Sequence, residues 1–375
     1  MRIAYIATSP IPSRRANALQ VMKMCDNLTS LGHDVRLWTP GHNPGVSPVD
    51  LMRQFGLQHA FPIEWIRSAT PLRHYDFCGR AVLAARRWHA DLLYVRPLQA
   101  AALAAQAGLA TLLDLHDRPH GRLGPSLLRA FVHGGGARRL VMTTHALQRW
   151  LVENYRLALE PPFAVVAPNA ADLARYAGLP SPSEARRRLG WPDRLTASYT
   201  GQLYRGRGLD MLVQLARRHP TIQFVWAGGD PASVEGWRAE LGHLDADNTR
   251  LLGFVPNQDL PMVHAASDIL LMPYERNVYL RQGNLSTFYS PMKLFEYLAA
   301  GRVILSSDLP TLREVLNAEN SILLPAEDLE AWDRALTALA TEPLKYAPLA
   351  ERAQRDSLQY GWSARCRKVL EGIGQ

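Results

Sequence analysis

Cysteine is scarce: three stand in 375 residues, at positions 25, 78 and 366. An odd, scattered set excludes a disulfide framework or a cysteine zinc site and suits a reducing compartment. Long apolar runs are also missing, and no stretch approaches the ~20 residues a spanning helix needs. The opening Met-Arg-Ile-Ala-Tyr-Ile-Ala-Thr reads as a strand and lacks the layout of a signal peptide. His33, His42, His59 and the other histidines stand at no metal-ligand spacing. No metal and no cofactor is expected, and the expected location is the cytoplasm. The basic half lacks the interleaved aromatics of a nucleic-acid module, so nucleic acid is not an expected partner.

Apolar content, at 47% of residues, is that of an ordinary globular protein, and the length suits two domains. Residues 1–175 hold 20 basic and 11 acidic side chains, a net of +9; residues 176–375 hold 22 and 23, a net of −1. The excess of the first half, with Arg86–Arg87 and Arg138–Arg139, suits an anionic surface such as lipid headgroups. A solvated face explains it too, because arginine greatly outnumbers lysine, as GC-rich coding favours.

The first half alternates buried strands with amphipathic helices. Strands are predicted at Ile3–Ala7, Val35–Trp38, Leu92–Val95, Thr111–Leu115 and Leu140–Thr143. Helices are predicted at Ala16–Ser30, Arg80–His89, Ala100–Ala107 and Ala146–Tyr155. A proline-rich break follows (Pro161, Pro162, Pro168, Pro180, Pro182), and alternation restarts. The second series has strands Thr196–Tyr199, Ile222–Ala227, Leu251–Phe254, Ile269–Met272, Val303–Ser306 and Ile322–Leu324. Its helices are Leu209–Arg218, Val234–Leu241 and Pro291–Ala300. The expected fold class is α/β, with two Rossmann-like doubly wound domains facing a cleft, over residues 1–175 and 176–355. A last helix over 356–375 is expected to pack back on the first domain.

Residues 289–314 are the most informative stretch, reading as loop, helix, glycine stop, strand and second helix. Ser290 suits the N-cap, Pro291 the first helical position and Gly301 the stop. The helix is almost wholly apolar except for Glu296. An unpaired buried carboxylate is costly, so Glu296 should have a partner. The helix start, at Met292 and Lys293, offers free amides and a positive dipole end suited to phosphate. Glu296 lies about 6 Å further along the same face, near the spacing between a diphosphate and its ribose. A bond to neighbouring backbone is an equally open explanation.

Gly201-Gln-Leu-Tyr-Arg-Gly-Arg-Gly208 follows a strand and opens a helix. Its glycines let backbone approach a phosphate, and Arg205 and Arg207 supply charge; a tight turn with solvated arginines remains the alternative. Gly228-Gly229 ends another strand and reads equally as ligand room or as a turn. Val255, just past the next strand, is placed to read a base edge through its backbone. In the first half, His116 ends a strand beside Asp117 and is either a ligand for phosphate or sugar, or a loop histidine bonded to Asp117. The turn after the first strand lacks the dinucleotide-binding glycines. Arg14, Arg15 and Asn17, at the head of the next helix, are candidate substrate-side residues.

Together these segments resemble the retaining glycosyltransferases of family 4, which have the GT-B fold. The resemblance runs through Leu31-Gly-His-Asp-Val35, Val166-Ala-Pro-Asn-Ala-Ala-Asp172, Gly201 to Gly208, Gly253-Phe-Val255, Ala266-Ser-Asp268 to Pro273, and Ser290 through Glu296 to Gly301. It implies metal-independent transfer of a sugar from a nucleotide-diphosphate donor with retention. Glu296 would bind ribose, Arg207 and Arg205 would neutralise the leaving diphosphate, and His116 would lie beside the donor sugar. Amides near Ser290, Pro291, Met292 and Lys293, with Gly201 and Gly208, would cradle phosphate. The chain departs at Phe288, where the first carboxylate of the family's Glu-x7-Glu motif would fall; that contact is missing or comes from elsewhere in 283–290. Polysaccharide or glycolipid synthesis, a lipid-linked acceptor and attachment to the inner face of a membrane are the associated expectations. The rivals are a sugar-nucleotide epimerase of the same architecture and a non-catalytic nucleotide-sugar-binding subunit.

Overall fold

The computed structural model describes residues 1–69, 74–244, 246–277, 279–280, 283–284 and 287–374. The chain forms two compact units, residues 1–169 with 362–375 and residues 170–361. The division falls after Asn169 and the return at Trp362, a few residues from the 175/176 and 355/356 positions set by composition.

In the first unit, apolar runs become seven strands: β1 Arg2–Ile6, β2 Asp34–Pro40, β3 Ile63–Ile66, β4 Leu92–Val95, β5 Thr111–Leu115, β6 Ala137–Met142 and β7 Ala164–Val166. All pair in parallel, in the order β3-β2-β1-β4-β5-β6-β7. Every residue of β4 and β5 is buried, as a sheet covered on both faces requires. The order reverses at β1/β4, so the carboxyl ends there form this unit's topological switch point. The edge strands β3 and β7 escaped the pattern because they are short and half-buried, with no buried apolar run.

The last helix, Trp362–Leu370, packs on the Ala16–Ser30 helix. Ser363 Oγ donates to Asn27 Oδ1 at 2.7 Å. Arg365 reaches between the elements to Asp114. Arg139 donates to the carbonyls of Val369 at 2.9 Å and Glu371 at 2.6 Å, closing the carboxyl end of that helix. Arg139 is therefore buried structure and not part of an anionic-surface patch, which corrects one member of that sequence cluster.

In the second unit, β8 Thr196–Thr200, β9 Gln223–Ala227, β10 Thr249–Gly253 and β11 Ile269–Met272 precede a hairpin, β12 Tyr279–Leu280 and β13 Gly283–Asn284. β14 Val303–Ser307 and β15 Ile322–Leu324 complete the parallel order β10-β9-β8-β11-β14-β15. Trp226 and Trp332, both fully buried, fill the core on one face. Here the switch point is β8/β11, the strands that lead into Gly201 and Pro273.

Two local expectations change. The helix after β13 begins at Met292, with Pro291 in extended backbone at the cap, so Ser290 is not the N-cap. The stop at Gly301 stands, left-handed at φ 59°. No second helix follows β14. Residues 310–315 form turns, in which Leu312 closes on the Leu309 carbonyl and Leu316 on that of Leu312. The Arg313 amide also closes on the Leu309 carbonyl at 3.0 Å, and its guanidinium folds back on Asp308, 2.7 Å between Nη2 and Oδ2.

Candidate functional site

The β8 end and the helix after β13 are tied together in the second unit. The Thr200 amide donates to the Tyr297 hydroxyl at 2.9 Å, which in turn lies 3.3 Å from the Leu271 carbonyl. His264 adds a second brace, with Nδ1 3.0 Å from the Tyr176 hydroxyl and Nε2 3.2 Å from Thr200 Oγ1. Burial first, then the charges of Lys293 and Arg302, push the His264 pKa down to about 3, so this imidazole is a neutral structural link.

From Gly201 the chain turns to Gly208, where a left-handed backbone (φ 73°) opens the Leu209–Arg218 helix. A Cβ on Gly208 would fall 1.8 Å from the Pro273 carbonyl oxygen, so only glycine fits. At Gly228 the close neighbour is also backbone: a Cβ would meet the Gly201 oxygen at 2.0 Å. Packing of crossing chains, named by neither the ligand-room nor the turn reading, is what requires a glycine at 228.

The arginines of this turn separate. Arg205 is exposed. Arg207 is buried, and its guanidinium lies 4.6, 4.8 and 4.9 Å from the rings of Tyr204, Tyr274 and Tyr289. Its Nε has no hydrogen-bond partner among the described residues. Lys293, in the first turn of the Met292–Ala300 helix, is buried as well, with Nζ 3.7 Å from the Tyr199 ring centroid and 5.1 Å from that of Tyr274. A buried guanidinium and a buried amine thus share the Tyr274 ring beside a helix start, whose first amides have no partner within the helix. Such a group of donors and positive charge suits a multiply charged anion.

Glu296 is half-buried rather than enclosed, and one partner is Asn257, whose Nδ2 donates to Oε1 at 3.3 Å. Val255, two residues earlier, is half-buried on the same loop beyond β10. Ser290 and Met292 are half-buried and Pro291 is buried. Phe288 is buried, and 285–286 of the 283–290 segment lie outside the described residues.

In the first unit, His116 does not bond Asp117, which instead takes His120 Nε2 at 3.0 Å and the Arg118 amide at 2.7 Å. His116 Nε2 lies 3.1 Å from Asp114 Oδ1. Period-two alternation at the end of β5 puts residues 114 and 116 on one side, a signal present in the sequence. Asp114 is held by Arg365 at 2.9 and 3.1 Å and by the Tyr94 hydroxyl at 2.8 Å. Burial would raise the Asp114 pKa; Arg365, with His116 second, outweighs it and holds the carboxyl well below its usual range. Burial, reinforced by Arg96 and opposed by Asp114, lowers His116 to about 4. His116 is therefore neutral at physiological pH, and its buried Nε2 lies near the carboxylate without donating to it. Arg14, Arg15 and Asn17 are exposed at the head of the Ala16–Ser30 helix, and Arg15 caps it by backbone only.

Sequence reading missed Tyr199, Tyr204, Tyr274, Tyr289 and Asn257. They come from separate segments, and nothing local marks them as neighbours.

Among the described residues no cluster has the make-up of a metal site, and no helix is long and apolar enough to cross a membrane. Residues 194–342 match the family model described as Glycosyl transferases group 1. A D-inositol 3-phosphate glycosyltransferase of Kineococcus radiotolerans is 24% identical over 258 residues, 63% of this chain and 56% of that one. A phosphatidyl-myo-inositol mannosyltransferase of Mycolicibacterium smegmatis is 25% identical over 373 residues, 93% and 87% of the two chains. The chain spans about half the length of several curated relatives it matches. Among solved structures, Anabaena Alr3699/HepE in complex with UDP superposes with a TM-score of 0.74 at 17% identity, covering 100% of this chain and 99% of that one. Sucrose-phosphate synthase from Thermosynechococcus elongatus gives 0.73 at 17% identity, with 97% and 96% covered. Residues 194–342 are a glycosyl transferases group 1 domain, set in a chain of two parallel-sheet α/β units with the GT-B fold.

Proposed function

We propose that this protein is a metal-independent, retaining glycosyltransferase that moves a hexosyl group from a nucleoside-diphosphate donor to an acceptor of glycolipid or polysaccharide synthesis. The observation that carries the reading is the buried Arg207 beside the Gly201–Gly208 turn and the Met292–Ala300 helix start. Residues 170–361 bind the donor in this account, and residues 1–169 serve the acceptor, with Arg14, Arg15 and Asn17 as candidate contacts.

Glu296, steadied by Asn257, accepts from the ribose hydroxyls. Backbone at Val255 reads the base. Amides of Met292 and Lys293 take phosphate oxygens, with Ser290 and Pro291 shaping the approach and Gly201 and Gly208 leaving backbone room. As the bond from the sugar's anomeric carbon to the diphosphate oxygen breaks, its electron pair stays on that oxygen. Arg207 stabilises the growing charge, Arg205 acts as a second cation, and the effect is electrostatic. The acceptor hydroxyl attacks from the face the diphosphate leaves, and its proton passes to the departing phosphate oxygen. Neutral His116 contacts a donor-sugar hydroxyl.

The relatives' names support a phosphoinositide or other glycolipid acceptor, and the basic first half supports peripheral attachment at the inner membrane face. A thermal-shift screen over UDP, GDP, ADP and their sugars tests the donor claim, since a ligand of the native state raises its melting temperature. A shift with at least one nucleotide is expected; no shift with any would overturn the reading. Product analysis without acceptor separates transfer from epimerisation of the donor.

A further inference from the structure

Lys293 places a buried amine where the fold does not account for one. Its Nζ is buried and has no hydrogen-bond partner among the described residues. Contact with the Tyr199 ring at 3.7 Å offsets only part of the cost of removing an ammonium from water. A methionine would fill the same space without that cost. The amine also presses on the turn itself: a Cβ on Gly201 would lie 2.9 Å from Nζ. Arg207 stands across the shared Tyr274 ring. The nearby carboxylate, Glu296, is engaged by Asn257. The arrangement is an unpaired amine kept at a stability cost against the backbone most suited to phosphate.

We propose that the Lys293 side chain is a second cationic ligand of the donor diphosphate, acting with Arg207. This rests on the function proposed above and extends it from the helix-start amides to a buried amine that carries its own proton chemistry.

Burial first, and the charge of Arg207 second, push Lys293 well below the ordinary ammonium range, with Glu296 opposing. The groups facing it are Tyr199 of β8, Arg207 of the turn, Tyr274 beyond β11 and Glu296 on its own helix; His264 of the Leu260–Ala265 helix feels its charge. An arriving diphosphate reverses the balance and favours the ammonium. Binding therefore takes up a proton at Nζ. Affinity falls as pH rises through the interval between the lowered value of the free protein and the higher value of the complex.

The test is titration calorimetry of the whole chain with UDP, GDP and ADP in buffers of different ionisation enthalpy. Wild type, Lys293→Met and Lys293→Arg are compared, and each is melted without ligand. Wild type should bind at least one nucleotide with proton uptake. Lys293→Met should lose that uptake and bind roughly 10- to 100-fold more weakly. It should also melt about 2–4 °C higher, because an unpaired buried amine has been removed. Lys293→Arg, which keeps the charge, should bind within a few-fold of wild type without uptake. Equal affinity and equal uptake in Lys293→Met would overturn the assignment while leaving nucleotide binding in place. A Lys293→Met protein that is unfolded or less stable would overturn it by making the lysine structural. Binding of none of the three nucleotides by wild type would remove both this assignment and the donor reading.

Discussion

Arg365 and Asp114 stand 251 positions apart and meet in a bidentate pair of 2.9 and 3.1 Å, both side chains almost wholly buried. The pair fastens the last helix to β5. Arg365→Ala leaves the carboxylate buried and uncompensated, and should cost about 3–5 kcal/mol in urea denaturation. Replacing both partners with apolar residues should cost much less. The Asp114 pKa is lower folded than unfolded, so its contribution is complete above the unfolded value of about 3.9. It is lost as pH falls from there through the lowered value. Asp114→Asn should therefore flatten acid unfolding in that interval; unchanged acid sensitivity would contradict the pairing.

Arg207→Ala should lower turnover more than donor affinity, because charge on the diphosphate is largest as the glycosidic bond breaks. Loss of one such donor corresponds to roughly 100- to 1,000-fold in kcat. Arg205→Ala, at an exposed position, should cost far less. Chelator should leave the wild-type rate unchanged; a rate restored only by divalent metal would count against Arg207 as the main stabiliser.

Glu296→Ala should weaken nucleotide binding roughly tenfold or more, the scale of a lost hydrogen bond to a charged group. Asn257→Ala should weaken it less, since it only steadies that carboxylate. With a 2′,3′-dideoxy nucleotide both losses should shrink. Losses that persist undiminished would move Glu296 away from the ribose.

Flotation with vesicles should recover the protein with anionic lipid at low salt, and progressively less as salt shortens the screening length. Arg86→Glu with Arg87→Glu, both positions exposed, should reduce recovery, whereas Arg139 is committed to the carbonyls of the last helix. Equal recovery with neutral vesicles would favour a soluble acceptor.

The α/β alternation was legible because parallel strands buried on both faces write continuous apolar runs, as at Leu92–Val95 and Ile269–Met272. Gly301 was legible as a helix stop because the left-handed cap is a local demand. What could not be read was whatever depends on distant segments meeting. Tyr199, Tyr274 and Tyr289 surround Arg207 and the Lys293 amine from three separate stretches of chain, and Arg365 finds Asp114 across most of the sequence. Asp117 was the wrong partner for His116 because adjacency in sequence outweighed strand alternation. The second helix expected after β14 is replaced by turns over 310–315, whose closures on the Leu309 and Leu312 carbonyls do not extend into a helix.

The central claim is that the Gly201–Gly208 turn and the start of the Met292–Ala300 helix hold the donor diphosphate. Hydrogen exchange of the whole chain, with and without a saturating nucleoside diphosphate, tests it most directly. Amides of residues 201–208 and 292–296 should gain protection, and those of β8 and β11 should change little because they are already closed in the sheet. Protection confined to other segments, with 201–208 and 292–296 exchanging as before, would contradict it.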